Sequence, residues 1–275
     1  MMRRTLFIAF LLAATVLQPL TLPAQAIVRL PGTKATLECY PVDTATRAAI
    51  VCPGGSYCWL DYQGEGVEVA QWLQSKGISA YVLRYRVAGW WAWATHYRLL
   101  FKGLQPRDPY TDASRAVDYL CDSLGLHHVG IMGFSAGGHL AMYTALLDRR
   151  LRWTAPIYPV VSMTATCTHG RSRRALLGER GQFNPDLREA YSLERLVHPQ
   201  CPPVFLVNCV DDPVVDYRNS VLLDSALTAR GLPHSYHQYR TGGHGFGVSE
   251  TKGSPECHAW KEAFLRWFNS LDIKL

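Results

Sequence analysis

The chain has 275 residues, with 28 Lys and Arg against 22 Asp and Glu, a formal charge of +6 at neutral pH. This mild basicity is scattered, apart from Arg171-Ser172-Arg173-Arg174, which reads as a solvated loop, and it excludes a nucleic-acid footprint. The length suffices for one large core, and no repeat, low-complexity run or linker divides it.

The chain opens on a short basic segment, Met1-Met2-Arg3-Arg4, then an uncharged apolar stretch from Leu6 to Leu17, then Pro23-Ala24-Gln25-Ala26. Basic start, apolar core and A-x-A site make the pattern of a secretory signal peptide over residues 1–26. The apolar core falls short of the roughly 20 residues that span a bilayer, so an uncleaved anchor is the lesser reading. Cleavage removes Arg3 and Arg4 and no acid, so the formal charge falls from +6 to +4. Residues 27–275 are then a single exported domain, periplasmic or extracellular, with no membrane contact after cleavage.

Strand and helix alternate through this domain. Arg47 to Cys52 reads as a strand, followed by Pro53-Gly54-Gly55-Ser56. Gly66 to Lys76 has Val69, Ala70 and Leu73 on one helical face and Gly77 as its stop. Ile78 to Leu83 is a strand. Asp108-Pro109 opens a helix, aspartate as N-cap, with Ala113, Ala116, Val117 and Leu120 on its apolar face and Gly125 at its end. His128 to Met132 is a strand, and Leu140 to Leu147 lies in a helix. Trp153 to Val160 is a strand, residues 162–200 are polar with no clear period, and Pro203 to Cys209 resumes the sheet. Asn219 to Ala229 is helical, Ser235 to Tyr239 a strand, and Ser254-Pro255 caps a last helix bearing Trp260, Phe264, Trp267, Phe268 and Leu271. Such alternation predicts an α/β fold, a mostly parallel central sheet with helices on both faces. Ligands of such sheets bind beyond the carboxyl ends of the strands.

Eight cysteines are present, and Cys52 and Cys209 sit in apolar strand runs, where cysteine serves as a small hydrophobe. Their pairing cannot be read. No C-x-x-C pair or His/Cys cluster suggests a metal, and His234 and His237 form a lone pair at strand spacing.

Between the strand ending at Met132 and the following helix lies Gly133-Phe134-Ser135-Ala136-Gly137. G-x-S-x-G between strand and helix is the setting of a nucleophile elbow, where small neighbours make room for a strained serine. Asp211-Asp212-Pro213-Val214-Val215 follows one later strand, and Gly242-Gly243-His244-Gly245-Phe246 follows the next. A serine hydroxyl needs a base, histidine titrates near neutrality, and a carboxylate fixes the imidazole tautomer. The expected catalytic residues are therefore Ser135, His244 and Asp212, with Asp211 as the main rival acid and Asp216 a distant third. The expected oxyanion donors are the backbone N–H of Ala136 and that of Gly55 or Ser56.

These residues resemble the α/β-hydrolase superfamily, and more narrowly its carbohydrate-esterase, acetyl xylan esterase-like branch. The resemblance rests on Pro53-Gly54-Gly55-Ser56-Tyr57, Tyr85-Arg86, Asp112 with Arg115-Ala116-Val117, Gly133 to Ala141, Asp212-Pro213-Val214-Val215 and Gly243-His244-Gly245-Phe246. It spans nearly the whole mature chain, and its D-x-x-V pattern places the acid on Asp212. It implies hydrolysis of short acyl esters, often acetyl groups on plant polysaccharide, with no metal or organic cofactor and a small-molecule or oligosaccharide ester as partner. A peptidase or arylformamidase on the same triad is the closest alternative, and a non-catalytic carbohydrate-binding relative the alternative of another class. Two departures stand out: Ser56 replaces a frequent third glycine, and residues 87–107 are long and aromatic, with Trp90, Trp91, Trp93, Tyr97 and Phe101. Tyr57, Trp59, Trp90 and Trp91 are candidate sugar-stacking residues; a lid that packs its own aromatics is the alternative. His139 is expected to be a packing residue rather than a base.

Overall fold

The computed structural model describes residues 26–95 and 103–271. The expected signal peptide, save Ala26, lies outside the described residues, as do Tyr97 and Phe101. Eight strands form one sheet: β1 (Ile27–Arg29), β2 (Thr36–Tyr40), β3 (Ala48–Cys52), β4 (Ser79–Arg84), β5 (Val129–Phe134), β6 (Thr154–Ile157), β7 (Val204–Cys209) and β8 (His234–Tyr239). Their order is β1-β2-β4-β3-β5-β6-β7-β8. Strand β2 runs antiparallel to β1 and β4, and every other pair is parallel.

Strands buried on both faces lose the polar alternation of a half-exposed sheet. In β3 all five residues are buried; Ile50 and Cys52 join one core and Ala49 and Val51 the other. The helices divide accordingly. The face of Ile50 receives Ala113, Ala116, Val117 and Leu120 and the N-terminal half of the helix after Ser135. The opposite face receives Val69, Ala70 and Leu73, and Trp260, Phe264 and Phe268 from the C-terminal helix. Full burial of each of those aromatic rings stabilises the fold by about 2–3 kcal/mol.

A π turn, Gln63–Val67, leads into α1 (Glu68–Ser75), which ends at Gly77 with φ 74°. Helix α2 (Trp90–Ala94) is one short turn. Helix α3 (Asp108–Asp118) starts where predicted, but Arg107 occupies the N-cap position and Asp108 is the first helical residue. The Asp108 carboxylate instead accepts the N–H of Gln105 at 2.9 Å. Helix α4 (Ala136–Leu147) follows β5 directly. Strand β6 is shorter than predicted, because Tyr158 takes φ 37° and breaks the extended run.

Residues 162–200, predicted to be irregular, contain three helices: α5 (Gly170–Gly181), α6 (Pro185–Ala190) and α7 (Leu193–Leu196). Helix α5 is kinked at Gly178 and the other two are one turn each, so no stretch is long enough to carry a 3.6-residue period. Helix α8 (Arg218–Thr228) joins β7 to β8. Ser254 caps α9 (Pro255–His258), its hydroxyl accepting from Cys257 N, and α10 (Trp260–Ser270) carries the predicted apolar face. No helix among the described residues is long and apolar enough to cross a membrane. The parallel strands β3, β4, β5, β6, β7 and β8 all end on one edge, which gathers their six following loops.

Candidate active site

The first of those loops to consider is the turn at Ser135. Its backbone has φ 54° and ψ −119°, a strained conformation at the junction of β5 and α4. Neighbouring main chain holds it there: Ser135 N–H donates to Ile157 O at 2.9 Å, and Ser135 O accepts from Val160 N at 3.2 Å and His139 N at 3.1 Å. The flanking glycines are required by space. A Cβ on Gly133 would lie 2.1 Å from Gly137 O, and one on Gly137 would lie 2.1 Å from Cys52 O. Both obstacles are backbone, which side-chain rotation cannot relieve.

The loop after β8 returns to this serine. His244 Nε2 lies 2.9 Å from Ser135 Oγ, and His244 Nδ1 lies 2.6 Å from Asp212 Oδ2. The Asp212 side chain is 1% exposed. Its other oxygen, Oδ1, accepts the N–H groups of Val214 at 2.8 Å and Val215 at 2.9 Å. An ionised carboxylate only accepts, so Nδ1 carries the ring proton and Nε2 is left to accept from the serine hydroxyl. The three side chains are thus one hydrogen-bonded chain, suited to passing the hydroxyl proton to imidazole. The rival aspartates are placed elsewhere. Asp211 accepts the N–H groups of Gly242 at 3.2 Å and Gly243 at 2.8 Å, so it anchors the histidine loop. Asp216 pairs with Arg218.

The turn after β3 lies against the nucleophile: a Cβ on Gly54 would be 3.0 Å from Ser135 Cβ. The turn is closed by Gly55 O, which accepts Cys58 N at 2.9 Å and Trp59 N at 3.1 Å. Gly55, Ser56 and Tyr57 all have positive φ, 124°, 57° and 60°. Among the described residues, no acceptor takes the N–H of Gly55, Ser56 or Ala136. These are donors available to a developing oxyanion, and the α4 dipole reinforces that of Ala136.

Residues 67–270 match the model of the prolyl oligopeptidase family, which has the α/β-hydrolase fold. The chain belongs to that family. It is 31% identical over 225 residues to an acetylxylan esterase of Xylanibacter ruminicola, covering 78% of this chain and 44% of that one. It is 29% identical over 228 residues to endo-1,4-beta-xylanase B of Butyrivibrio fibrisolvens, covering 75% and 33%. The chain therefore spans less than half the length of either. Among solved structures, it is similar to an acetyl ester-xyloside bifunctional hydrolase from Caldicellulosiruptor lactoaceticus, with 30% identity, a TM-score of 0.75 and coverage of 90% and 97%. A carboxylesterase from Lactobacillus plantarum shares the fold at 20% identity and a TM-score of 0.70, with coverage of 89% and 96%.

In this member of the prolyl oligopeptidase family the rim departs from the sequence expectation at Tyr57. That side chain is 1% exposed, so it does not present a face to a sugar. Its hydroxyl lies 2.8 Å from His139 Nδ1, and His139 Nε2 lies 2.9 Å from Tyr191 O. A carbonyl needs a donor, so Nε2 carries the proton and the tyrosine hydroxyl donates to Nδ1. Burial pushes the His139 pKa down to about 4 and keeps the ring neutral, a packing residue as anticipated. Trp59 and Trp90 stack at 5.0 Å and 11°, and Trp93 meets both edge-on. Trp90 and Trp91 remain 61% and 72% exposed.

Two residues near the site carry no sequence signal. His169, just before α5, lies 2.8 Å from Ser172 Oγ through its Nδ1, close enough to the triad to feel the charges of His244 and Asp212. Burial lowers its pKa to about 4, and the Arg171 charge adds to that. Glu65, in the π turn before α1, is 3% exposed. No motif marks either one. Among the described residues there is no group of three or more His, Cys, Asp or Glu placed to hold a metal ion.

Proposed function

We propose that the protein is a serine esterase that removes short acyl groups, acetyl foremost, from xylan-type carbohydrate. The observation that carries this is the hydrogen-bonded chain Ser135–His244–Asp212 beside free N–H groups at Gly55, Ser56 and Ala136. Ser135 Oγ attacks the ester carbonyl while His244 Nε2 takes its proton. The carbonyl oxygen becomes an oxyanion, held by Ala136 N–H and the N–H of Gly55 or Ser56. The imidazolium returns the proton to the departing sugar oxygen, leaving an acyl-serine. Water, deprotonated by His244, then releases the carboxylic acid and restores the hydroxyl.

The sugar half of the reading is supported by the acetylxylan esterase relative and by the exposed indoles of Trp90 and Trp91 beside Trp59. Acetate release from acetylated xylo-oligomers, measured beside an aryl acetate, tests it. Trp90→Ala is expected to lower kcat/KM on the oligomers about five- to tenfold and on the aryl acetate less than about twofold, in line with roughly 1 kcal/mol for one aromatic contact. Equal loss on both substrates would remove Trp90 from sugar binding. Turnover of the aryl acetate alone would keep the esterase and reject the carbohydrate, turning attention to formamides and peptides.

Export belongs to the same proposal and rests on residues 1–26. The protein recovered from the exporting cell is expected to begin at Ile27, as read by N-terminal sequencing. A chain still beginning at Met1 would reject cleavage.

A further inference from the structure

Glu65 makes two hydrogen bonds, and they go to opposite walls of the site. Oε2 accepts the N–H of Gly54 at 2.7 Å, at the head of the turn that carries the free N–H groups. Oε1 accepts the Tyr158 hydroxyl at 2.7 Å, and that hydroxyl accepts the N–H of Gly247 at 3.0 Å. Gly247 closes the histidine loop, and the Tyr158 ring lies 4.6 Å from the His244 ring, centroid to centroid. The packing leaves no slack. A Cβ on Gly54 would sit 2.4 Å from Glu65 Oε2, and one on Gly247 would sit 2.7 Å from Gly64 O. A single carboxylate therefore holds the oxyanion turn on one side and, through Tyr158, the histidine loop on the other.

A charge is an expensive way to make these links. Burial pushes the Glu65 pKa up, and the His244 charge and the two hydrogen bonds only partly oppose it. A raised pKa means that the ionised form is less favoured in the folded protein than in the unfolded chain, so the carboxylate lowers stability at neutral pH. Yet both Glu65 oxygens accept, which is the pattern of the ionised form. His244 turns cationic when it takes the Ser135 proton, and at that moment negative charge beside it is useful.

We propose that Glu65 is a positioning residue: it couples the oxyanion turn to the histidine loop and sets a second negative charge, besides Asp212, near the imidazolium of the transition state. This rests on the serine-hydrolase reading of Ser135. The test is Glu65→Gln, with Tyr158→Phe as the second variant, assayed on an aryl acetate with Tm measured at pH 7. Glutamine keeps one acceptor and the side-chain size but removes the charge. The expected result is a fall in kcat of about 30-fold, KM within about twofold, and a Tm equal to or above that of the parent. Tyr158→Phe, which severs only the link to the histidine loop, is expected to lose about tenfold in kcat at unchanged KM. A fall in Tm with kcat preserved would make Glu65 a structural prop and overturn the proposal. A rise in KM with kcat preserved would overturn it equally. Should Glu65→Gln not fold, the tyrosine variant decides, since unchanged kcat there breaks the coupling. Failure of the parent protein to turn over the ester, or to label with a fluorophosphonate, would reject the serine-hydrolase reading instead.

Discussion

Ser135→Ala is expected to lower kcat on an aryl acetate on the order of 10⁵-fold and to abolish fluorophosphonate labelling. The hydroxyl is the atom that reacts, and among the described residues its hydrogen bond is to His244 alone. Among the described residues no other group is hydrogen-bonded to His244 Nε2. His139 is locked between Tyr57 and Tyr191, and burial holds it neutral. The fold is expected to survive. Alanine keeps the Cβ, and the strained backbone is held by main-chain bonds to Ile157, Val160 and His139 that do not involve the side chain. A variant with unchanged Tm and substantial residual turnover would mean that a different residue forms the acyl intermediate.

Asp212→Asn is expected to cost about 10⁴-fold in kcat, for a reason visible in the hydrogen bonds of the carboxylate. Asp212 Oδ1 accepts two backbone N–H groups, from Val214 and Val215. An asparagine must therefore turn its oxygen toward them and its amide nitrogen toward His244 Nδ1. A donor facing Nδ1 forces the proton onto Nε2. That nitrogen then donates toward Ser135 and cannot take its proton. Asp211→Asn is the control. Its carboxylate anchors Gly242 and Gly243 rather than the imidazole, so a loss of about tenfold or less is expected. Steady-state kinetics on both variants separates the roles, and a larger loss at Asp211 would move the acid assignment there.

Much of this arrangement was legible in the residues. Strands β3 to β7 announce themselves as largely apolar runs and β8 by its place after the next helix, and each candidate triad residue follows one of these strands. Chain order alone brings those strand ends to one edge, so Ser135, Asp212 and His244 could be grouped without any distance. What escaped lacks period or local chemistry. Strand β2 pairs with β1 at the sheet margin, and its alternation, buried at Leu37 and Cys39, spans only five residues. Helices α5 to α7 are too short or too kinked to repeat. Tyr57 was misjudged because adjacency to the oxyanion turn says nothing of side-chain direction, and φ 60° turns the ring into the core. Glu65 acquires its meaning only from Gly54 and Tyr158, which arrive from the ends of β3 and β6.

The crossing of β3, β5 and α4 is closed by main-chain atoms: Gly133 against Gly137, and Gly137 against the Cys52 carbonyl. The approach of β3 to β5 and α4 is consequently set by backbone, with Glu65 holding the oxyanion turn through Gly54. Residues lining the acyl and alcohol sides can enlarge, shrink or change polarity while the reacting geometry stays put. A library aimed at new esters is best randomised around Trp59, Trp90 and His169, with these glycines left untouched.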